Sequence, residues 1–365
     1  MLILKNNYIY NRIMVKVGIT EVISRHPYFI NLYKNFDRSF QIIDFKNLWK
    51  FFLNLDKIKI FHLHWPEKRL RGEKKITSIL KLILFMIFIK ILKTIDCKFI
   101  LTMHNMRPHI EQSKIIDYLI FNITMQLADK IIVHSEYSKL KLNYYYPEVN
   151  INKIAVIKMG STSSHLNLSY HDRNLARFLR DFKNNKILLL IFGKIEKYKG
   201  INNNLELITK LLDATDKFKI AIIGECREDE IKEKIDFIKN KYRNRVHIEL
   251  NYVDDERMKS YFKYADFGVI PFNEITNSSS VEQYLFHKTP IFAPKFKTIN
   301  EIFPNYSGWL TKFNLNQWYD LILKFINDKE FYEQIQNETR FYEPYRWSKS
   351  SLITSKLYRS VILSD

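Results

Sequence analysis

Short apolar runs alternate with longer amphipathic segments along most of the chain. Apolar runs of about four to eight residues indicate buried strands, whereas apolar positions that recur every three or four residues indicate helices. The first half alternates regularly between the two, which predicts a parallel sheet with helices on both faces and ligands at the carboxyl ends of the strands. Strands are predicted at 14–19, 40–43, 57–64, 98–104, 130–134 and 154–158, and helices at 29–35, 76–95, 110–127 and 136–144.

A polar stretch at 159–172 interrupts this alternation, which resumes with a strand at 187–192. We interpret the stretch as a linker between two domains, 1–165 and 166–345, with a final helical segment at 346–365 that packs back on the first domain. In the second half strands are predicted at 187–192, 219–223, 246–250, 267–272 and 308–311, and helices at 201–212, 228–242, 255–264, 281–286, 315–327, 330–338 and 348–362.

Length and charge narrow the possible classes of protein. The 365 residues suffice for two domains of ordinary size. The net charge of +19 favours an anionic partner: nucleic acid, a membrane surface or a phosphorylated substrate. Because the lysines are spread along the chain and no nucleic-acid-binding motif stands out, we expect no nucleic-acid partner. Two isolated cysteines, Cys97 and Cys226, and the lack of a signal-peptide pattern favour a reducing cytoplasm.

The apolar segment 76–95 raises the question of a membrane helix. Lys81, Lys90 and Lys93 restrict its uninterrupted apolar run to residues 82–89. That run is too short to cross a bilayer, which takes about 20 residues. Two interpretations stay open: a helix buried in the core, or a helix in the bilayer interface with its lysines toward anionic head groups.

Histidines end three neighbouring predicted strands, at His64, His104 and His134. Since parallel strands present their carboxyl ends at one edge, these side chains should converge on one rim of the sheet. Each histidine alone could be a hydrogen-bonded structural residue, but three equivalent positions favour a site. Without a neighbouring HxxxH pair or cysteine partner, zinc is not expected there.

A glycine and two lysines follow the first strand of the second half. Gly193 would let the backbone approach a ligand, and Lys194 and Lys199 could place ammonium groups against a diphosphate. Ordinary surface lysines are the alternative.

The stretch 265–304 combines an apolar run, a polar loop at 273–277 and a helix start rich in serine. Ser278, Ser279 and Ser280 can cap that helix, whose free N–H groups and dipole favour phosphate. Glu274 and Glu282 flank this position, and carboxylates accept hydrogen bonds from paired hydroxyls. A ligand with central phosphates and a sugar at each end, a nucleotide sugar, fits this pattern. The alternative is two solvated glutamates and serines that merely start a helix.

Taken together, these motifs resemble GT-B glycosyltransferases, specifically family 4-like enzymes of bacterial surface polysaccharide assembly. A related group with the same HWPE stretch includes β-mannosyltransferases that use GDP-mannose. The resemblance implies an α/β fold of two Rossmann-like, doubly wound parallel-sheet domains facing a cleft. The matching segments are HPYFINLY (26–33), HLHWPE (62–67), LTMHNMRPH (101–109), ADKIIVHSEYSK (128–139), FGKIEKYKG (192–200), ADFGVIPFNEITNSSSVEQYLF (265–286) and TPIFAP (289–294).

The resemblance also implies roles for individual residues. Glu282 would hold ribose hydroxyls, Lys194 and Lys199 would neutralise the leaving diphosphate, and His104 would approach the donor sugar. No metal or other cofactor is expected, because lysines and a helix start can stabilise the diphosphate. The expected catalytic residues are His104, Glu274 and Lys199, and the expected residues that bind a UDP- or GDP-linked donor are Gly193, Lys194, Lys199, Asn277, Ser278, Ser279, Ser280 and Glu282.

The first domain is expected to bind the acceptor, with His64, Trp65, Glu67 and Glu111 on that side. The implied reaction is hexose transfer, with retention favoured, to a glycan or lipid-linked glycan at the inner face of the cytoplasmic membrane. Alternatives are an inverting β-mannosyltransferase that uses GDP-mannose, with Glu67 or Glu111 as base, and a non-catalytic protein that binds sugar or anionic lipid. The chain departs from the family pattern at Ser279, where glycine is common, and in its first loop, where only Gly18 is present.

Overall fold

The contacts in the computed structural model divide the chain into two compact units. The first unit comprises residues 1–160 and 346–365, and the second unit comprises residues 161–345. The structure describes residues 14–21, 26–44, 58–105, 113–161, 172–272 and 279–363. The expected domain boundary at 165 lies outside these ranges.

The first unit is built on a sheet whose strands pair in parallel, in the order β2-β1-β3-β4-β5-β6. The strands are β1 (Val15–Ile19), β2 (Phe40–Asp44), β3 (Ile58–His64), β4 (Lys98–Thr102), β5 (Lys130–Val133) and β6 (Ile154–Val156), and the helices before the second unit are α1 (Pro27–Lys34), α2 (Pro66–Leu70), α3 (Lys75–Thr94), α4 (Lys114–Leu127) and α5 (Glu136–Tyr145).

The second unit repeats the plan with strands β7 to β12, which pair in parallel in the order β12-β11-β10-β7-β8-β9. Its strands are β7 (Ile187–Phe192), β8 (Phe218–Ile223), β9 (Val246–Glu249), β10 (Phe267–Val269), β11 (Ile291–Pro294) and β12 (Trp309–Leu310), and its helices are α6 (Arg173–Lys183), α7 (Ile201–Ala214), α8 (Asp229–Tyr242), α9 (Asp255–Tyr264), α10 (Ser279–Phe286), α11 (Lys297–Ile302), α12 (Leu315–Asn327) and α13 (Lys329–Phe341).

Both sheets contain a point where the order of strands reverses. In the first unit β1 lies between β2 and β3, and in the second unit β7 lies between β8 and β10. Doubly wound sheets bind ligands in the crevice that forms beyond the carboxyl ends of the strands at such a point. The candidate positions are therefore the ends of β1 and β3 in the first unit and the ends of β7 and β10 in the second.

The last helix, α14 (Trp347–Ile362), belongs to the first unit. Trp347 and Tyr358 are buried on the face of the first sheet that also carries Ile60, while the neighbouring strand residue Phe61 packs into a separate cluster on the other face. The Tyr358 hydroxyl lies 2.6 Å from His62 Nδ1. Successive strand residues point to opposite faces of a sheet. The cluster that includes Trp347 and Tyr358 therefore covers one face of the first sheet, and the cluster that includes Phe61 covers the other.

One face of helix α3 is buried and the other is exposed, although both faces carry apolar residues. Leu82, Phe85 and Ile89 pack into the core, while Leu80 and Leu84 are exposed. The segment therefore joins the core along one face and presents apolar side chains along the other. In the described part of the chain, no helix combines the length and the apolar character needed to span a membrane.

Several predicted boundaries were wrong for local reasons. The predicted linker is followed directly by α6, which was missed because arginines surround its short apolar stripe of Leu175, Ala176 and Leu179. Asp172 caps it, since its carboxylate accepts hydrogen bonds from the next turn. The short helices α2 and α11 were also missed, and β10 ends at Val269 rather than at the predicted residue 272.

Candidate functional site

Gly193 lies directly after β7, at the strand-order reversal of the second unit. Its φ of +117° is one that residues with a side chain rarely adopt. A Cβ atom there would lie 2.8 Å from Ser280 Oγ and 3.6 Å from Lys199 Nζ. The absence of a side chain thus lets the loop after β7 approach the start of α10.

A second glycine, Gly200, lets the turn that carries Lys199 pack closely against the backbone just beyond β10. Gly200 has φ +77°, and a Cβ on it would lie 1.9 Å from the carbonyl oxygen of Pro271, just beyond β10. This packing places Lys199 Nζ 3.3 Å from Ser280 Oγ, to which it donates a hydrogen bond. Burial lowers the pKa of Lys199 to about 8, and the charge of Lys194 contributes to the shift.

Glu282 lies on α10, two residues after the buried Ser280. Burial raises the pKa of Glu282 to about 8, so the carboxyl group is largely protonated at neutral pH in the free chain. A ligand that donates hydrogen bonds to the carboxylate would favour loss of this proton. An ammonium group, a hydroxyl and a carboxyl group therefore lie at or near the start of α10, where they could bind a ligand that carries both phosphate and hydroxyl groups.

Four of the predicted donor-site residues lie wholly or partly outside the described part of the chain. Glu274, Asn277 and Ser278 lie outside the described residues. Ser279 is the first residue of α10, and its side chain also lies outside the description. Lys194 is exposed beside the turn that carries Lys199.

Two residues at this site were missed by the sequence analysis. Tyr284 fixes α10 to the sheet, because its hydroxyl donates to Leu190 O at 2.7 Å and accepts from Phe192 N at 2.9 Å. Asn204 lines the same pocket as Lys199, and its buried Oδ1 has no hydrogen-bond partner among the described residues. A polar residue three positions after Ile201, on an otherwise apolar helix face, was the available signal for Asn204.

In the first unit the three predicted histidines meet on one rim. His64 ends β3, and its Nδ1 lies 3.0 Å from His104 Nε2. His104 Nδ1 lies 3.3 Å from His134 Nε2. His62, which the sequence analysis had not singled out, lies beside them with its ring nitrogens bonded to Tyr358 and Thr102.

Burial keeps these histidines neutral. It lowers the pKa of His62 to about 3 and that of His134 to about 4, and it holds the pKa values of His64 and His104 well below 6.5. Neighbouring histidines reinforce the shift of His64 and His104. Among the described residues, no group of three or more His, Cys, Asp or Glu side chains is arranged to hold a metal ion.

Trp65 and Glu67 complete this rim, immediately after β3. The Trp65 ring stacks on His104 with centroids 4.1 Å apart, and Lys68 Nζ lies 4.1 Å from the Trp65 centroid. Glu67 is buried, and burial raises the pKa of its carboxyl group. Glu111, the fourth residue expected on the acceptor side, lies outside the described residues.

Comparison with solved structures establishes the fold. HepE from Anabaena, in complex with UDP, matches 95% of this chain and 100% of its own at a TM-score of 0.68 and 13% identity. Sucrose-phosphate synthase from Thermosynechococcus elongatus matches 96% of this chain and 100% of its own at a TM-score of 0.66 and 13% identity. A glycosyltransferase from Rickettsia africae ESF-5 matches 98% of this chain and 100% of its own at a TM-score of 0.66 and 16% identity.

A family model matches most of the second unit. Residues 172–341 match the model described as Glycosyl transferases group 1, a range that begins at the cap of α6 and ends with α13. No curated protein sequence matches the chain significantly. The expected GT-B fold is confirmed by the two parallel six-stranded sheets and their flanking helices, described above, and by the structural matches. The second unit is therefore a group 1 glycosyltransferase domain, and the chain that carries it is a transferase enzyme.

Proposed function

We propose that this enzyme transfers a hexose from a nucleotide diphosphate sugar to a hydroxyl group of a glycan or lipid-linked glycan in surface polysaccharide synthesis. The observation that carries the proposal is the contact between Lys199 Nζ and Ser280 Oγ, 3.3 Å apart beside Gly193 at the strand-order reversal. HepE, which shares the fold, has been crystallised with UDP and with UDP and glucose. That precedent supports a UDP-linked donor here, and a GDP-linked donor is the alternative.

In this proposal the diphosphate occupies the start of α10. Lys199 and Lys194 offer ammonium groups, and Ser280 and the first N–H groups of α10 offer hydrogen bonds. Glu282 accepts hydrogen bonds from the ribose hydroxyls. As the bond to the sugar breaks, the negative charge that grows on the leaving diphosphate meets cations already in place. We therefore expect transfer to proceed without an added metal ion.

The stereochemical outcome depends on the acceptor side. We favour retention, with Glu274 and His104 near the donor sugar as predicted from the sequence. Inversion from GDP-mannose requires a base that removes the acceptor proton, and Glu67 has a property suited to that role. A carboxylate whose pKa is raised by burial is a stronger base than an exposed one.

We further propose that the first unit docks on the anionic inner face of the cytoplasmic membrane through α3. Its exposed face carries Leu84, 66% exposed, and Leu80, 56% exposed. The helix contains no acidic residue, and Lys81 and Lys90 are exposed. Apolar side chains flanked by lysines fit a surface of acyl chains beneath anionic head groups.

Co-sedimentation with vesicles of phosphatidylcholine, with and without phosphatidylglycerol, tests the docking. We expect binding to the mixed vesicles that falls with added salt and with Leu84→Glu. Phe341→Glu is the matched control, because Phe341 is 78% exposed on α13 in the second unit. Equal binding by both variants, or no binding to anionic vesicles, would refute the docking.

Thermal shifts with UDP, GDP and their sugars test the donor site, followed by donor hydrolysis and transfer assays. We expect a nucleotide to raise the melting temperature of the wild type. Lys199→Ala should abolish this shift, whereas Lys197→Ala should retain it. Lys197 lies on the same turn but is exposed and paired with Glu230 at 2.8 Å. If no nucleotide stabilises the wild type, the assignment of the donor site is wrong.

A further inference from the structure

A row of three buried histidines in the first unit begins at a backbone carbonyl. His134 Nδ1 lies 2.9 Å from the carbonyl oxygen of Ile157. His134 Nε2 faces His104 Nδ1 at 3.3 Å, and His104 Nε2 faces His64 Nδ1 at 3.0 Å. We call His134, His104 and His64 the histidine row.

The carbonyl fixes the direction of every hydrogen bond in the row. Because a carbonyl oxygen only accepts, His134 Nδ1 must carry the hydrogen. In a neutral imidazole the other nitrogen then has no hydrogen, so His134 Nε2 accepts from His104 Nδ1. By the same step His104 Nε2 accepts from His64 Nδ1, which leaves His64 Nε2 as a bare lone pair. The lowered pKa values of all three groups support the neutral form.

His64 Nε2 is buried and has no hydrogen-bond partner among the described residues. Aromatic rings surround His64, with the Phe29 centroid 4.8 Å and the His62 centroid 4.1 Å away. A buried acceptor without a donor costs free energy, and such groups are rare in native proteins. This nitrogen therefore calls for a donor that the described side chains do not supply.

The next residue, Trp65, carries a second unfavourable feature. Its φ of 45° and ψ of 66° place a bulky residue in the left-handed region. Strained backbone of this kind concentrates at binding and catalytic positions. A strained residue directly after an unpartnered acceptor, at the strand-order reversal of the first sheet, indicates a binding position.

We propose that His64 Nε2 is a binding site for one hydroxyl donor, either a sugar hydroxyl or a water molecule. The hydrogens of the histidine row make this nitrogen an acceptor only, and the Ile157 carbonyl sets that polarity. The inference concerns the first unit alone and stands whether or not the second unit binds a nucleotide sugar.

The test is nitrogen NMR on the full chain labelled with ¹⁵N-histidine, with assignment by single substitutions. We expect all three members of the histidine row to be protonated on Nδ1 at neutral pH. We also expect His64 Nε2 to have the shift of a lone pair that accepts a hydrogen bond. A hydrogen on His64 Nε2, or the shift of a nitrogen without any hydrogen bond, would overturn the proposal.

Titration with methyl α-glucopyranoside and methyl α-mannopyranoside distinguishes the two sources of the hydroxyl. A saturable change at His64 Nε2 assigns the donor to a sugar, whereas a hydrogen-bonded shift that neither glycoside moves assigns it to water. His64→Asn keeps an N–H group near the position of Nδ1 and lacks Nε2. In the sugar case it should weaken glycoside binding about fivefold and leave the His104 and His134 signals in place. Unchanged glycoside binding in this variant would contradict a sugar at His64, and the wild-type spectrum remains decisive if the variant does not fold.

Discussion

Nucleotide binding should be strongest near pH 8, because two groups with opposite charge requirements titrate there. Burial raises the pKa of Glu282 to about 8 and lowers that of Lys199 to about 8. In the proposed complex the ribose hydroxyls favour the ionised form of Glu282, and the diphosphate favours the protonated form of Lys199. Affinity should therefore rise up to pH 8 and fall above it.

The size of the effect follows from the ionised fractions. With a pKa of about 8, Glu282 is about 1% ionised at pH 6 and about half ionised at pH 8. If only the carboxylate binds ribose, ionisation of Glu282 alone raises the association constant about 50-fold over this range, and the half-deprotonated Lys199 at pH 8 reduces the net rise to about 25-fold. Part of the residue still reaches solvent, which reduces the rise. Above pH 8, loss of the Lys199 proton lowers affinity by at most about tenfold per pH unit.

Isothermal titration with UDP and GDP from pH 6 to 9.5, at constant ionic strength, measures both limbs. Glu282→Gln should lose the rise below pH 8, because an amide does not ionise. Lys199→Arg should lose the fall above pH 8, because guanidinium stays charged. Lys197→Arg, on the exposed neighbouring lysine, should keep the wild-type profile. Identical pH profiles for the wild type and Glu282→Gln would refute the role of this carboxyl group.

The same carboxyl group links stability to pH in the absence of nucleotide. The unfolded chain ionises Glu282 near pH 4.5, whereas the folded chain retains the proton until about pH 8. The unfolded state therefore binds fewer protons in this window, and the contribution of Glu282 to stability falls as pH rises. Glu282→Gln should gain stability relative to the wild type between pH 5 and pH 8 in urea titrations. A constant difference across that range would show that the carboxyl group titrates normally.

Three further substitutions test contacts within the two units. Gly193→Ala should lower the free energy of unfolding by about 1–2 kcal/mol and weaken nucleotide binding, because alanine is strained at φ +117°; unchanged urea midpoint and affinity would contradict this. Tyr358→Phe should cost about 1–3 kcal/mol, because it removes the hydroxyl 2.6 Å from the buried His62; a loss well under 1 kcal/mol would argue against that bond. Arg71→Met should lower the free energy of unfolding by about 3–5 kcal/mol, because it leaves the buried Asp117 carboxylate without the guanidinium 2.6 Å away. If the ion pair is the cause, the double variant Arg71→Met with Asp117→Leu should recover most of that stability.

The alternation of strands and helices was readable from the sequence because each strand is a short apolar run between polar residues. The buried run of β7 and the helix α9 were predicted at the residues where the structure has them. The order of strands was not predicted, and it is the order that locates the two reversal points. Pairing is decided by contacts between distant residues, which local patterns do not record.

The candidate site was likewise predictable from the sequence only in part. Histidines at the ends of neighbouring strands predicted the cluster of His64, His104 and His134, since parallel strands end at one edge. Two other contacts depend on how β7 and β10 pair. One is the hydrogen bond from Lys199 to Ser280, 81 positions apart in the sequence, and the other is the packing of the Tyr284 ring against Gly268. No pattern in either segment alone indicates them.

A crystal structure of the chain with UDP or GDP, whichever raises the melting temperature more, tests the central claim most directly. We predict diphosphate oxygens within hydrogen-bond distance of Lys199 Nζ and Ser280 Oγ, with ribose hydroxyls on the Glu282 carboxylate. A nucleotide bound away from the start of α10, with Lys199 still donating only to Ser280, would contradict it.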